Sequence, residues 1–262
     1  MSSFETKISD LLRACDIISK RLHSFRRIPS SLIYSSSLIT VYALFLILSY
    51  FIKWNQFIYV AELLVGLLGS TIIFVLHILI LRKLNNHIEV SKYLHSHIED
   101  MLKIINLGLR GESYNYLIKF LAIEKSPLKY MPVLLIVPYL SLLIAENPFF
   151  SILLILLFHA SLSILLFFQI ELFNRHIVYE NKITRELFNR INNNEYDDYE
   201  PFILGLKDVL LSIISLGTYL IALYAKVDAY LDEHIVKHRK NYRLFKINYI
   251  RKSREFLDST QQ

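Results

Sequence analysis

Five apolar stretches, at residues 31–52, 57–81, 131–145, 148–170 and 202–224, leave this chain few ways to fold. Apolar residues in them are clustered rather than periodic, and four of the five reach the roughly 20 residues that carry an α-helix across a bilayer. The short fifth, 131–145, joins 148–170 through Glu146-Asn147-Pro148, which reads as a tight helical hairpin with Pro148 opening its second helix. In 262 residues, 54% hydrophobic composition and a mean hydropathy of +0.39 exceed what one water-soluble core of that size can bury. Period-two alternation is absent, which argues against a β-barrel. The expected fold is an all-α polytopic membrane protein with five to six membrane-embedded helical segments and amphipathic helical extensions outside the bilayer.

Cationic residues near short loops set the orientation of such a protein, and here they fall on one side. Lys20, Arg21, Arg26 and Arg27 precede the first stretch; Arg82, Lys83, Lys92, Lys119, Lys125 and Lys129 lie between the second and third; Arg175, Lys182, Arg185 and Arg190 follow the fourth. The opposite side offers only Lys53. The N-terminus and both long connections are therefore expected in the cytoplasm. No short cleavable apolar segment comes before residue 31, so the first stretch is expected to remain as an anchor. The last stretch is ambiguous: a single span at 202–224 would put the basic tail outside, whereas a break at Gly205 to Asp208 or at Gly217 would keep it inside, the preferred reading.

These signals divide the chain into an amphipathic helix (1–30), a transmembrane hairpin (31–83), a cytoplasmic helical connection (84–128), a second hairpin (129–172), a polar linker (173–201), a last membrane segment (202–230) and a basic tail (231–262). In the first part Phe4, Ile8, Leu11, Cys15, Ile18, Leu22 and Phe25 alternate at spacings of four and three, the pattern of a coiled-coil seam or of a helix lying on the leaflet. In the connection an amphipathic stretch around Leu94, Ile98 and Met101 is broken by Gly108 and Gly111, and a shorter helix is expected near 112–123.

A short signature recurs at the ends of three apolar runs: Leu84-Asn85-Asn86-His87-Ile88, Phe173-Asn174-Arg175-His176-Ile177 and Leu231-Asp232-Glu233-His234-Ile235. At a helix C-terminus, Asn and His can donate to unpaired carbonyls, and a protonated His complements the dipole. Chance recurrence and a duplicated two-span unit (31–88, 129–177 and a shortened third copy) both account for it.

Ionisable residues at membrane depth point to function by default. Glu62, His77, His159, Lys207 and Asp208 are the candidates for a pore or polar path, with His159 foremost and a simple interhelical hydrogen bond as its alternative. Haem ligation by His77 and His159 is disfavoured, because their depths differ by roughly 15 Å at 1.5 Å per residue. Gly66, Ser70 and Gly217 are candidate helix-packing points, and Pro132 and Pro138 candidate kinks. The single cysteine, Cys15, excludes an intramolecular disulfide and any multi-cysteine metal site. No phosphate-loop, dinucleotide-binding, HExxH or GxSxG pattern occurs, so no enzymatic activity, cofactor or metal is expected. In the tail, Lys237, Arg239, Lys240, Arg243, Lys246, Arg251, Lys252 and Arg254 alternate with Tyr242, Phe245 and Tyr249, a composition suited to an anionic leaflet or to nucleic acid.

Two resemblances follow from these residues. The segment Leu211-Ser212-Ile213-Ile214-Ser215-Leu216-Gly217-Thr218-Tyr219, with Leu231-Asp232-Glu233-His234 downstream, resembles an uncharacterised prokaryotic membrane-domain family, departing from its pattern at Ser215 and Thr218. As a whole, the Ile/Leu/Tyr/Lys-rich, cysteine-poor multispan chain resembles the polytopic membrane component of the crenarchaeal DNA-import (Ced) system. That resemblance implies a non-enzymatic channel or scaffold in the cell membrane, working with other small membrane subunits and a separate cytoplasmic ATPase on DNA, surrounded by membrane lipids. A small-solute or proton-coupled transporter, for which a homo-oligomer is the natural form, and a structural membrane organiser are the alternatives.

Overall fold

The computed structural model describes residues 2–23, 28–35, 38, 41, 56–123, 148–191, 195–215 and 217–260. Among them are seven helices and no strand: α1 (Ser2–His23), α2 (Ser30–Ser35), α3 (Gln56–Ile104), α4 (Glu112–Leu121), α5 (Pro148–Arg190), α6 (Leu206–Ile214) and α7 (Thr218–Thr260). Most of the run 31–52, all of 131–145 with Pro132 and Pro138, and Lys53, Lys125 and Lys129 lie outside the described residues.

Three helices dominate because nothing in their sequences stops them. α3 has 49 residues and α5 and α7 have 43 each, so at 1.5 Å per residue they extend for about 65–74 Å, more than twice a hydrocarbon core of about 30 Å. α3 and α5 are each apolar all round in the first half and amphipathic in the second. Both are long and apolar enough to cross a membrane. Their apolar halves leave Leu64, Leu68, Leu157 and Phe168 more than half exposed, a side-chain choice that suits contact with lipid.

Among the described residues there are two candidate spans, which do not support the five or six expected, and the hairpin repeat finds no support there either. One reason lies in the last apolar stretch. α6 is only nine residues, about 13.5 Å, and the chain then turns at Gly217, whose φ of 85° lies in the left-handed region. A Cβ at Gly217 would overlap the His159 imidazole, so the turn seats directly on α5. The break expected at Gly217 is thus present, and the close approach there is a packing contact.

α3, α5 and α7 pack side by side with their apolar stripes turned inwards. Leu76, Ile80 and Leu84 of α3, Leu162, Leu166 and Phe173 of α5, and Leu220, Val227 and Leu231 of α7 build one core. Further along the same helices Leu94, Ile98 and Met101, Ile183 and Leu187, and Tyr242, Phe245 and Tyr249 build a second. α1 closes that second core with Ile8 and Cys15, and α4 with Leu117 and Phe120. The partner sought by the α1 stripe is therefore the chain's own bundle, and the tail lies at the same end as the polar halves of α3 and α5. The connection ends as its sequence suggests: Glu99 accepts the Leu109 N–H through both oxygens at 3.0 Å after α3 stops, and α4 follows Gly111.

The junction between apolar and polar halves carries a buried ion cluster. Lys83 Nζ donates to Asp228 at 2.6 Å and to Asp232 at 2.9 Å, and Asp228 also accepts the Ile28 N–H. Lys83 is a positive residue spent on α7 rather than on the membrane surface. Removing one member of a buried pair typically costs about 3–5 kcal/mol because the other charge is stranded.

Candidate metal centre

Between the two apolar cores lies a layer made of imidazoles. Spacings of four along a helix put side chains on one face, and each long helix contributes such a set: His87, Ser91 and His95 from α3, His176, Glu180 and Thr184 from α5, and His234 and His238 from α7. All eight are buried, and His87, Ser91, His176 and Glu180 are wholly inaccessible. Glu180 is the only carboxylate among them and stands at the centre.

Its two oxygens face different partners. Oε2 lies 3.4 Å from His176 Nε2 and 3.4 Å from His234 Nε2, and His87 Nε2 is 2.9 Å from His234 Nε2. Oε1 lies 2.9 Å from His238 Nε2 and 3.9 Å from His95 Nδ1, and accepts the Ser91 hydroxyl proton. Ligand atoms around a tetrahedral ion with bonds of about 2.0–2.1 Å are separated by roughly 3.3–3.4 Å. The two 3.4 Å separations from Oε2 match that spacing, whereas the 2.9 Å between His87 and His234 is shorter. Ligand atoms of His87, His176 and Glu180, and likewise of His95, Glu180 and His238, lie within 4.8 Å of one another.

Hydrogen bonding alone does not satisfy this layer. His176 Nδ1 and Nε2, His87 Nδ1, His238 Nδ1 and Glu180 Oε2 are buried without a hydrogen-bond partner, and such orphans cost roughly 1–3 kcal/mol each. The close His87–His234 nitrogens need either a proton or a cation between them, since two lone pairs repel. Burial holds His95 down at about 4 and His87 and His234 below the usual histidine range, with Glu180 opposing that shift in all three. Burial pushes the Glu180 carboxyl up, but His176 and His238 outweigh it and keep it well below the ordinary carboxylate range. An ionised Glu180 beside His87, His95 and His234, whose burial disfavours the charged ring, is a combination compatible with metal ligation.

The surroundings fix the rings. His95 Nδ1 bonds the Ser91 carbonyl at 2.9 Å, and its Nε2 is 3.4 Å from the Thr184 hydroxyl. Tyr199 stacks on His238 and is itself held by Asn241. The segment expected as a plain polar linker is instead pinned: Asn181 brackets Tyr199 through its N–H and carbonyl, and Asn241 does the same for Asp197. A void of about 20 Å³ touches His95, Thr184, Tyr199 and His238, and a cleft of about 270 Å³ between Glu200, Phe202, Tyr230 and Lys237 includes His234 in its wall.

The expected site residues are elsewhere and dispersed. His77 pairs with the Tyr224 hydroxyl at 2.6 Å, and His159 is buried against Gly217. Asp208 accepts Tyr219 O–H at 2.5 Å and Gly205 N–H, closing the start of α6, while Lys207 is exposed. Ser70 is buried; Glu62 and Gly66 lie within α3. In the tail, Tyr242, Phe245 and Tyr249 are inside the second core, so they offer no faces for stacking bases. Lys246 pairs with Asp16, Lys240 with Asp197, Lys237 with Glu233 and Lys252 with Glu255, whereas Arg239, Arg243, Arg251 and Arg254 are exposed.

The recurrent His-Ile signature marks no helix end. His87, His176 and His234 lie inside α3, α5 and α7, which continue well past them. It recurs because three helices present a histidine to one layer. Missing from that sequence reading were His95, Glu180 and His238, although their spacing of four or eight from the signature histidines was there to be followed. Comparison with protein-family models, with curated proteins and with solved structures found no match.

Proposed function

We propose that this chain is a membrane-anchored transition-metal protein whose ion is held by Glu180 and the surrounding histidines, just beyond the bilayer on the cytoplasmic side. The observation that carries the reading is a fully buried carboxylate facing five imidazoles on three helices, with ligand-like spacing and unpaired nitrogen and oxygen atoms. A nitrogen-rich set suits zinc, iron, copper or nickel and disfavours magnesium and calcium. In this reading the apolar halves of α3 and α5 are anchored in a multi-pass arrangement. Arg82, Lys92, Arg175, Lys182 and Arg185 just beyond those halves favour a cytoplasmic polar end, and the packing of α1 on that end favours a cytoplasmic N-terminus as well.

The ion is resident rather than in transit. Leu84, Phe173 and Leu231, all fully buried, lie on the membrane side of the histidines, and the buried polar groups near that level are paired with one another, Gln169 with Asn85 and Lys83 with Asp228, rather than open to a passing cation. The cleft beside His234 gives a small molecule a way towards the centre. Purified from membranes in mild detergent, the chain is expected to carry, or to take up after chelation, at least one transition-metal ion per molecule. Absence of uptake for all four metals would reject the proposal. Exposed Arg239, Arg243 and Arg254 favour a second reading, a DNA-translocation subunit. Salt-dependent DNA binding by the purified chain, lost on replacing those arginines, would support it.

A further inference from the structure

We infer that the centre takes two ions, with Glu180 as the bridge between them. This rests on the metal-binding reading above and goes beyond it in number and in division of roles. The two carboxylate oxygens each face a separate set of donors: His87, His176 and His234 on the Oε2 side, His95, His238 and Ser91 on the Oε1 side. One ion cannot engage both sets, because a carboxylate turned to one group of nitrogens presents its other oxygen to the second.

The two positions are unequal. On the Oε2 side His87, His176 and Glu180 form one ligand group, and His234 Nε2, 3.4 Å from Oε2, makes a fourth protein ligand of a closed tetrahedral site once its 2.9 Å contact with His87 widens. Oε1 offers His238 Nε2 and His95 Nδ1, and His95 must first give up its bond to the Ser91 carbonyl. That position has three ligands and one vacancy. Beside it lies the 20 Å³ void, whose wall includes His95, Thr184, Tyr199 and His238. A space of about 10–15 Å³ suffices for one water, so the void has room for a water as the fourth ligand. Charge also ranks the sites: the one carboxylate offsets a single positive charge, so the second ion enters against an excess. The first ion is held tightly and the second exchangeably, and the reactive position is the second.

The test is a titration of the chelated full-length protein with Co²⁺ and Zn²⁺, followed by ligand-field absorption and by metal content after gel filtration. Wild type is expected to saturate at two ions with at least a tenfold separation in affinity. His238→Gln and His95→Gln should saturate at one, retaining the tight phase, and both should keep the helical circular dichroism of wild type. Saturation of wild type at one ion would overturn the two-ion inference while leaving the metal-binding reading intact. No binding at all would overturn both. Retention of two ions by both variants would show that the Oε1 donors are misassigned and would also overturn it.

Discussion

Two parts of this bundle hold wholly buried histidines, and they treat them differently. In the apolar halves His77 has one partner, the Tyr224 hydroxyl, and His159 fills the space that Gly217 leaves. Apolar neighbours on three helices surround both. In the layer around Glu180 five imidazoles converge on a single carboxylate, and several ring atoms have nothing to bond. Single burial leaves His77 Nε2 without a hydrogen-bond partner too, so what sets the second part apart is convergence on one acid rather than unpaired atoms as such. Five around one acid gather donors and lone pairs at a single point, where protons or a cation can bridge them, and chemistry is therefore sought in the second place.

The sharpest way to break that comparison is to alter one residue in each part. Glu180→Ala should abolish metal uptake, a loss of at least 100-fold in affinity, whereas His77→Phe should leave metal content at the wild-type value; equal effects of the two would erase the distinction. Next in size is the junction between the parts. Lys83→Met strands Asp228 in a site where it is 3% exposed, and should destabilise the chain by about 3–5 kcal/mol, read from denaturant unfolding in detergent. Replacing Asp228 with Asn in the same chain should recover part of that loss.

A smaller effect is expected at the turn that seats α7 on α5. Gly217→Ala meets both the positive φ and the His159 ring, and about 1–2 kcal/mol for the backbone alone sets a lower limit to the cost. The metal content of the folded fraction should not change, because the turn belongs to the apolar part. The mildest expectation concerns Cys15. Burial first, then Asp16 and Asp100, push its thiol up to about 12, so the thiolate is scarce at pH 8. Maleimide should label it slowly in the folded chain and rapidly after unfolding; fast native labelling would mean that α1 is not docked on α3 and α7.

Much of this was legible in the residues. Apolar runs and charge placement marked the helices and their polar extensions, and Gly217 marked the break in the last run. The lengths of α3, α5 and α7 were harder to see, because a change from apolar to amphipathic character looks like a boundary while the backbone passes through it unchanged. Lys83 looked like a topogenic charge, yet its acceptors, Asp228 and Asp232, lie about 150 positions away. The tail aromatics read as a stacking surface because their burial depends on Ile98 and Leu187, on helices remote in sequence. The His-Ile signature carried the strongest signal and was legible only as a repeat. Its meaning required Glu180, His95 and His238, which share a face with the signature histidines but not a motif.

X-ray absorption at the metal edge of the purified, metal-loaded chain tests the central claim most directly. A first shell of nitrogen and oxygen at about 2.0–2.1 Å, with the outer-shell scattering of several imidazoles, is the expected result. A shell of water-like oxygens without imidazole scattering, or one unaltered by Glu180→Ala, would contradict it.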